Sequence, residues 1–478
     1  MIVAFISLVF LFLVAVGLLA RRRPPSTPPG HSCHPSHSPQ PQDSSKRLAR
    51  ADNTLQIYDI QALAPRHEVA WYLANLIEKD GAGDWPPRTD HVHWPAALRP
   101  YKDIYLELAP LLSAATPSLD DVVNTERREK YRGLMRKLLT ERVNVDHVRG
   151  ILSAVEAGNW DGMTREAYNG FYCCVAVCRH AYRWATIPVV KVAQLETIVE
   201  FPRELEVPWT YLQRMFGVTA DSGNNTANVL HNFDLQGERV YKINVAMKDL
   251  IRESEEIFFR MFLDLEILGF PIYYSMVKAL VAFDGGDKPA CIRYLNDVSG
   301  HLRRLLSVFF DNVHGGRISP LVWLSYIQGF QGWGIGRYIN GEYVKYDGLS
   351  GNHVLVFQAI DAFLGIERYL TDENMERYIP RNQRELCLAF KRHTLRSRLA
   401  PPGQNPEDDR IEEALQRIVR QLRVFRAAHR TRVIPYLEQP APERLPMTAG
   451  KSVLNGSSLR EALQVLDNLM VTRLRETQ

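Results

Sequence analysis

The chain has 478 residues, 46% of them hydrophobic, so it is long enough to bury a large core in more than one lobe. Its formal net charge is only +4, and basic and acidic residues are mixed along it, which argues against a nucleic-acid partner. Three of the six cysteines, Cys173, Cys174 and Cys178, share one apolar run, which is typical of buried thiols on a helix and not of a disulfide framework.

The first predicted element is a membrane-spanning helix. Residues 2–20 carry no charge, and this length crosses about 30 Å of hydrocarbon. Three arginines follow at 21–23, so the positive-inside rule places the rest of the chain in the cytosol. We expect the membrane to be an internal one such as the endoplasmic reticulum. A cleaved signal peptide is the alternative, but it usually carries its charge before the apolar run. We therefore expect residues 1–20 to be a single-pass anchor, and sequons at Asn224 and Asn455 to carry glycans only if the body is lumenal.

The rest of the chain is predicted to be a linker followed by helices. Residues 21–53 are dense in Pro, Ser and His, which indicates a flexible linker. Beyond them apolar residues recur at helical spacing and few runs alternate with period two, so we predict an all-α body. A polar stretch at 234–238 suggests a boundary between a small helical lobe, 54–235, and a large one, 236–478. The predicted helical segments are 68–78, 106–114, 127–139, 145–157, 166–184, 208–216, 242–268, 273–283, 290–313, 353–370, 383–393, 411–437 and 458–475.

One predicted helix carries a histidine on its apolar face. Steps of three and four residues place one stripe of side chains on a single face, namely Ile411, Leu415, Ile418, Leu422, Phe425, His429 and Val433. A core histidine with a hydrogen-bonded ring is the plain interpretation. The sharper one is an axial ligand to haem iron, because a buried neutral imidazole binds iron through one nitrogen while a partner of the other nitrogen fixes the tautomer.

A charged pair is predicted beside this histidine. Arg426 lies three residues before His429, and Asp361 lies within an apolar run. A buried guanidinium needs a carboxylate, and an unpaired buried carboxylate costs several kcal/mol, so we expect the two side chains to pair and to hold their helices together.

An ordered set of short motifs in the second half of the chain resembles the indoleamine 2,3-dioxygenase family. The order and rough spacing hold from about residue 171 to the end. The matching residues are Pro202-Arg203, Val207-Pro208, Phe258-Phe259 with Glu266, Gly348-Leu349-Ser350-Gly351, Phe357-Gln358, Asp361, Leu364-Gly365-Ile366, Arg377-Tyr378-Ile379-Pro380 and Arg426-Ala427-Ala428-His429.

The resemblance implies a small helical lobe over a large lobe that encloses haem b. It makes His429 the proximal iron ligand. It also implies binding of O2, a reductant for ferric haem, and insertion of both oxygen atoms across the C2–C3 bond of an indole, usually tryptophan, to give a formylkynurenine-type product. The residues implied near the haem are Arg426, Asp361, Gly348 and Gly351, and those implied on its distal face are Trp209, Phe258, Phe259, Phe262, Gln328, Ser350 and His353.

The chain departs from the family where the substrate would bind. The family's distal arginine, which clamps the amino acid carboxylate, falls on Ile327 or Gln328, and a distal serine falls on Phe262. A neutral residue loses the charge-assisted grip, although Arg337 could replace it from another angle. The family's C-terminal loop is only faintly present, at 455–458.

These departures leave two main interpretations of function, and a third and weaker one is a helical scaffold without haem. The first is a dioxygenase that acts on tryptophan or on a less polar tryptophan derivative. The second is a non-oxygenase haem protein on the same fold, which binds or senses O2. His353 also has two interpretations: a helix-start histidine with polar neighbours, or a distal group that acts on oxygen or substrate.

Overall fold

The computed structural model describes residues 48, 52–113, 118–439, 441–448, 450–454 and 459–477. The chain divides into two units, Met1–Arg47 and Leu48–Gln478, and every described residue lies in the second. The predicted anchor at 1–20 and nearly all of the predicted linker fall outside the described residues, as does the loop at 455–458. The predicted lobe boundary near residue 235 stays a prediction.

The described residues are mostly helical with almost no strand, which confirms the all-α prediction. The strands β1 (Gly336–Ile339) and β2 (Glu342–Lys345) form one antiparallel hairpin, whose turn has positive φ at Asn340 and Gly341. The helices are α1 (Thr54–Leu63), α2 (Glu68–Lys79), α3 (Arg99–Ser113), α4 (Asp121–Arg142), α5 (Val145–Glu156), α6 (Arg165–Trp184), α7 (Lys191–Gln194), α8 (Arg203–Phe216), α9 (Asn225–Asn228), α10 (Asp249–Asp284), α11 (Lys288–Asn312), α12 (Pro320–Val322), α13 (Leu355–Phe363), α14 (Asp372–Tyr378), α15 (Arg381–Arg392), α16 (Pro406–Leu437) and α17 (Leu459–Glu476).

Three long helices, α10, α11 and α16, pack in series and form the centre of the molecule. The sequence predicted a break in α10 between residues 268 and 273, and this was wrong. Pro271 lies inside one continuous helix, because burial of the apolar face on both sides outweighs the one backbone hydrogen bond that the proline removes. Among the described residues, α10 is the one helix apolar and long enough to cross a membrane, but it is mostly buried, so this is weak evidence for a span.

The start of α16 is fixed by its local sequence. The Asn405 side chain accepts hydrogen bonds from the backbone N–H groups of Glu407 and Asp408, and Pro406 occupies the first helical position. Acidic residues in the first turn complement the helix dipole. From this origin the stripe predicted from the sequence turns into the core, with Ile411, Leu415, Ile418, Leu422 and Phe425 all buried.

The cysteines behave as predicted. The five in the described part, Cys173, Cys174, Cys178, Cys291 and Cys387, are all buried free thiols. Burial raises the pKa of the Cys291 and Cys387 thiols to about 12, which keeps them protonated and unreactive.

Candidate functional site

His429 lies near the C-terminal end of α16 among aromatic rings. Its imidazole centroid is 5.1 Å from the ring of Phe309 and 5.9 Å from that of Phe425. This shell disfavours the charged form and lowers the pKa of His429 to about 4, so the imidazole is neutral at neutral pH. A neutral imidazole has a lone pair on one ring nitrogen, which is what a metal needs.

The His429 ring has no hydrogen-bond partner among the described residues. The plain interpretation of a hydrogen-bonded core histidine is therefore not supported, and neither is the expected second-nitrogen partner that fixes the tautomer. The side chain is only half-buried although its neighbours desolvate it. A ring nitrogen of His429 is therefore free of any hydrogen bond to the part of the chain that the structure describes.

The aromatic residues near His429 are buried, but less completely than residues further back on α16. Phe309 and Phe425 are 7% and 8% exposed, whereas Ile418 and Leu422, further back on the same helix, are 0% exposed. Phe357 on α13 stacks on Phe425 with centroids 5.2 Å apart and planes 8° from parallel. The side chains around His429 are therefore aromatic and apolar.

The predicted distal phenylalanines form a second aromatic cluster on α10. Phe258 contacts Phe259 and Phe262 in edge-to-face geometry, with centroids 5.3 and 5.2 Å apart. Phe258 also contacts Trp323 at 5.7 Å, and Trp323 contacts Tyr436 on α16 at 5.6 Å. This chain of rings links the predicted distal residues to the helix that carries His429.

Sequence reasoning missed Trp323. It lies in a short π-helix, Trp323–Gln328, where side chains do not follow the 3.6-residue period that reveals amphipathic helices. Its position just before Ile327 and Gln328 in the same segment was the available signal. Ile327 is fully buried, and Gln328 donates through Nε2 to the Leu349 carbonyl oxygen at 3.1 Å.

Arg426 and Asp361 form the expected ion pair. Arg426 Nη2 lies 2.7 and 2.8 Å from the two carboxylate oxygens of Asp361, which is buried at the end of α13. Arg473 on α17, which the sequence did not single out, donates to the same carboxylate. Arg426 also donates to the Thr477 hydroxyl, so the pair ties three helices together beside His429.

The glycine-rich loop at 348–351 packs directly on the segment that precedes β1. The Leu349 N–H donates to the Gln331 carbonyl oxygen at 2.9 Å, and a Cβ on Gly348 would lie 2.1 Å from that same oxygen. Glycine is therefore required at 348 by close backbone approach. A Cβ on Gly351 would meet nothing within 4 Å.

His353 has the contacts of a helix-start histidine. Its Nδ1 accepts from the Ser350 N–H at 3.4 Å, and its ring stacks on Tyr378 with centroids 4.7 Å apart. The Ser350 hydroxyl in turn accepts from the Asn352 N–H. Burial lowers the pKa of His353 to about 4. A direct role of Ser350 or His353 on oxygen or substrate stays a prediction.

Trp209 and Arg337 both contact a cluster of charged side chains around Arg179 and Asp221. The Arg179 guanidinium lies 4.8 Å from the centroid of the Trp209 ring and binds Glu206 and Asp221 at 2.7 and 2.9 Å. Arg337 also binds Asp221. The sequence left open a clamp between Arg337 and a substrate carboxylate, and the structure does not support it, because the side chain is already engaged by carboxylates.

A C-terminal strap covers the glycine-rich loop. We define it as residues 441–448 and 450–454. The buried Gln194 side chain donates to the Leu445 carbonyl oxygen at 3.2 Å and accepts from the Leu445 N–H at 2.6 Å. The Gly450 carbonyl oxygen accepts from the Gly348 N–H at 2.6 Å, and Arg444 donates to Ser325 Oγ at 2.8 Å. The strap therefore contacts both the glycine-rich loop at 348–351 and the π-helix that contains Ser325, which lie next to the predicted distal face.

These residues fit a haem group. An iron porphyrin is flat and apolar and needs an axial nitrogen ligand. His429 offers a neutral, unpartnered imidazole inside an aromatic wall, and Arg426 places a guanidinium one turn away. The role of each residue toward haem stays a prediction.

One comparison with known proteins identifies a family. The family model described as "Indoleamine 2,3-dioxygenase" matches residues 152–468, which is more than half of the chain and spans every predicted site residue from Trp209 to His429. A search of curated proteins gave no match.

Proposed function

Because this chain belongs to the indoleamine 2,3-dioxygenase family, a family of haem-dependent oxidoreductases, we propose that it inserts both atoms of O2 across the C2–C3 bond of an indole. The substrate is tryptophan or a less polar tryptophan derivative, and the product is of the formylkynurenine type. The observation that carries the proposal is the neutral His429 ring, which has no hydrogen-bond partner among the described residues and lies within an aromatic shell.

Bound haem b supplies the oxygen chemistry. The protein holds it through His429, whose ring is oriented by Phe309 and Phe425. The phenylalanine cluster on α10 and Trp323 exclude water from the side where an indole would lie. Arg426 holds the His429 helix against α13 through Asp361.

The preference for a less polar substrate follows from the residues at the expected carboxylate site. Ile327 is apolar and fully buried, and the Gln328 amide is neutral and donates to a backbone carbonyl oxygen. A charge-assisted bond is about twice as strong as a neutral one, so a free amino acid gains less here than it would from an arginine. An ester, an amide or a decarboxylated indole has no free carboxylate, so the lack of an arginine does not weaken its binding.

The alternative is a haem protein that binds or senses O2 without turnover. The engagement of Arg337 by Asp221 favours it, because that arginine was the available substitute for the distal cation. Turnover separates the two functions, since a sensor consumes O2 at most stoichiometrically.

The first experiment measures the Soret band of the full-length, detergent-solubilised protein. We expect a band that is lost or strongly shifted in His429→Ala. The band should be kept in His301→Ala, which replaces a histidine on α11. The reduced protein is then supplied with 18O2 and a panel of indoles that includes tryptophan, its methyl ester and tryptamine. Incorporation of two labelled atoms supports the dioxygenase. Stoichiometric O2 binding without product supports the alternative, and no Soret band in the wild type refutes both.

We also propose that residues 1–20 anchor the protein in an internal membrane with the body in the cytosol. Glycan occupancy cannot test this at Asn224, because that side chain is fully buried, caps α9 and donates to Tyr172 at 3.0 Å. Protease digestion of sealed microsomes is the suitable measurement. Digestion of the body without detergent supports the proposal, whereas protection or release into the soluble fraction contradicts it.

A further inference from the structure

One cavity of the structure lies away from the candidate site, and none of the site's residues line it. Its volume is about 310 Å³, and it lies among α2, α5, α6, α8 and α15. We call it the Asp80 pocket. Its lining combines a buried floor, aromatic walls and a cationic rim. The candidate site gives this combination no function.

The floor contains a buried carboxylate with one unused oxygen. Asp80 is only 3% exposed, and its Oδ1 accepts from Asn382 Nδ2 at 2.6 Å. Its Oδ2 has no hydrogen-bond partner among the described residues. Burial raises the pKa of Asp80 to about 7. A buried polar atom without a partner costs about 1–3 kcal/mol, so a donor is expected to complete this site.

The walls are aromatic. Trp160 and Tyr168 meet edge to face with centroids 5.7 Å apart, and Phe216 lies 6.3 Å from Tyr168. The Arg165 guanidinium lies 4.2 Å from the centroid of the Trp160 ring, which holds that ring in place at the opening. A flat apolar ligand would find van der Waals contact on these faces.

The rim carries positive charge that forms no ion pair among the described residues. Lys79 and Arg381 are exposed, and neither forms an ion pair with any described residue. The other acid in the lining, Glu156, is already bound by Arg214 through bonds of 2.6 and 3.0 Å. An anionic group at the opening would therefore meet two unneutralised cations.

We propose that the Asp80 pocket binds a small aromatic carboxylate that also carries an N–H donor. Asp80 Oδ2 is closed off from the cavity in this structure, so the Asp80 side chain turns toward the ligand to accept its N–H hydrogen bond, the ring packs on Trp160 and Tyr168, and the carboxylate lies at Lys79 and Arg381. The proposal does not depend on haem or on the proposed reaction. A pocket filled only by water would use the Asp80 oxygen but would leave the aromatic walls and the cationic rim without a function.

The test uses indole-3-propionate as the probe, with isothermal titration calorimetry on the full-length protein and on His429→Ala. We expect one site of similar affinity in both. At pH 8, above the pKa of about 7 of Asp80, N-methylation of the indole removes the donor to a charged carboxylate and should weaken binding about tenfold or more, because such hydrogen bonds contribute about 1.5–3 kcal/mol. The propionamide analogue removes the charge and should bind several-fold more weakly, with less dependence on salt.

Variants assign these losses to residues. Asp80→Asn should weaken the indole but not its N-methyl analogue, and Arg381→Gln should weaken the carboxylate but not the amide. Arg410→Gln, an exposed charge on α16, is the matched control. Binding that disappears in His429→Ala overturns the proposal, as does equal affinity for all three ligands or no binding at millimolar concentration. Displacement by inorganic phosphate with no effect of N-methylation would show a simple anion site and would also overturn it.

Discussion

Arg473, on the last helix, donates to the carboxylate of Asp361, which Arg426 holds from the other side. The three side chains join α13, α16 and α17. Because Arg426 lies one turn before His429, the orientation of the proposed iron ligand depends on a residue 112 positions away from Asp361 along the chain. Two guanidinium groups share one buried carboxylate. Without it Arg426 would have no ion pair among the described residues, while Arg473 would keep only Glu476 at 3.5 Å.

Replacement of Asp361 by Asn should be strongly destabilising. It removes the charge that both guanidinium groups share, and breaking a buried ion pair typically costs about 3–5 kcal/mol. We also expect weaker haem retention, because α16 loses its attachment to α13. Urea unfolding and the Soret absorbance after gel filtration measure the two effects. Glu413→Gln removes an exposed partner of Arg417 on the same helix and should cost less than about 1 kcal/mol. Equal losses in the two variants would contradict the prediction.

Two glycines of one loop should respond differently to alanine. Gly348→Ala places a methyl group 2.1 Å from the Gln331 carbonyl oxygen and 2.5 Å from Gly332 Cα, so the loop must move. Such overpacking typically costs about 1–3 kcal/mol and should also shift the haem spectrum. Gly351→Ala meets open space and should be neutral within about 0.5 kcal/mol. Thermal unfolding and absorption spectra of both variants test this, and a neutral Gly348→Ala would show that the loop does not pack as described.

The features that sequence predicted are those with a local pattern. The stripe ending at His429 repeats at helical spacing, and a buried Arg426 requires an acid, for which Asp361 in an apolar helix was the natural choice. The break predicted near Pro271 was wrong because a proline indicates a helix end only when tertiary packing does not continue past it.

The missed features depend on contacts between distant parts of the chain. Nothing local distinguishes Arg473 from the other arginines of its helix, and the contacts of Gln194 with the strap join residues 251 positions apart. Trp323 lies in a π-helix that hides its period. His91 and Trp94 lie in a loop and are both buried. His91 Nε2 donates to the His231 carbonyl oxygen, 140 positions away along the chain, and Trp94 donates to the Asp90 carbonyl oxygen.

Gln194 should control access to the strap. Its side chain satisfies the N–H and the carbonyl oxygen of Leu445 and the carbonyl oxygen of Ser452, so Gln194→Ala leaves three backbone groups without this partner. We expect faster tryptic cleavage at Arg444 and Lys451, followed by mass spectrometry of the fragments, with little change elsewhere. Gln416→Ala removes a side chain whose hydrogen bond in the described part of the chain goes to Glu412 on its own helix, and it should leave cleavage unchanged. Unchanged cleavage in Gln194→Ala would mean that other contacts hold the strap.

Stability should fall at acid pH partly because His231 is buried and neutral. Neither ring nitrogen has a partner among the described residues, and the ring packs 5.6 Å from Phe216 and 6.1 Å from Tyr172. Desolvation lowers the pKa of His231 to about 3, against about 6.5 in an unfolded chain. Between these values only the unfolded state binds the proton, so the contribution of this group is complete above pH 6.5 and falls by about 1.4 kcal/mol for each pH unit below it.

His231→Phe keeps an aromatic ring of similar size and removes the titration. Urea unfolding at pH 7.5 and 5.5 should therefore show a smaller loss of stability in the variant, by about 1.4 kcal/mol. Groups with the opposite trend, such as Asp80, whose raised pKa of about 7 makes it cost stability as pH rises, are common to both proteins and cancel in the difference. The exposed His147→Asn should not change the wild-type slope. An identical pH dependence in His231→Phe and the wild type would mean that His231 is already protonated in the folded chain.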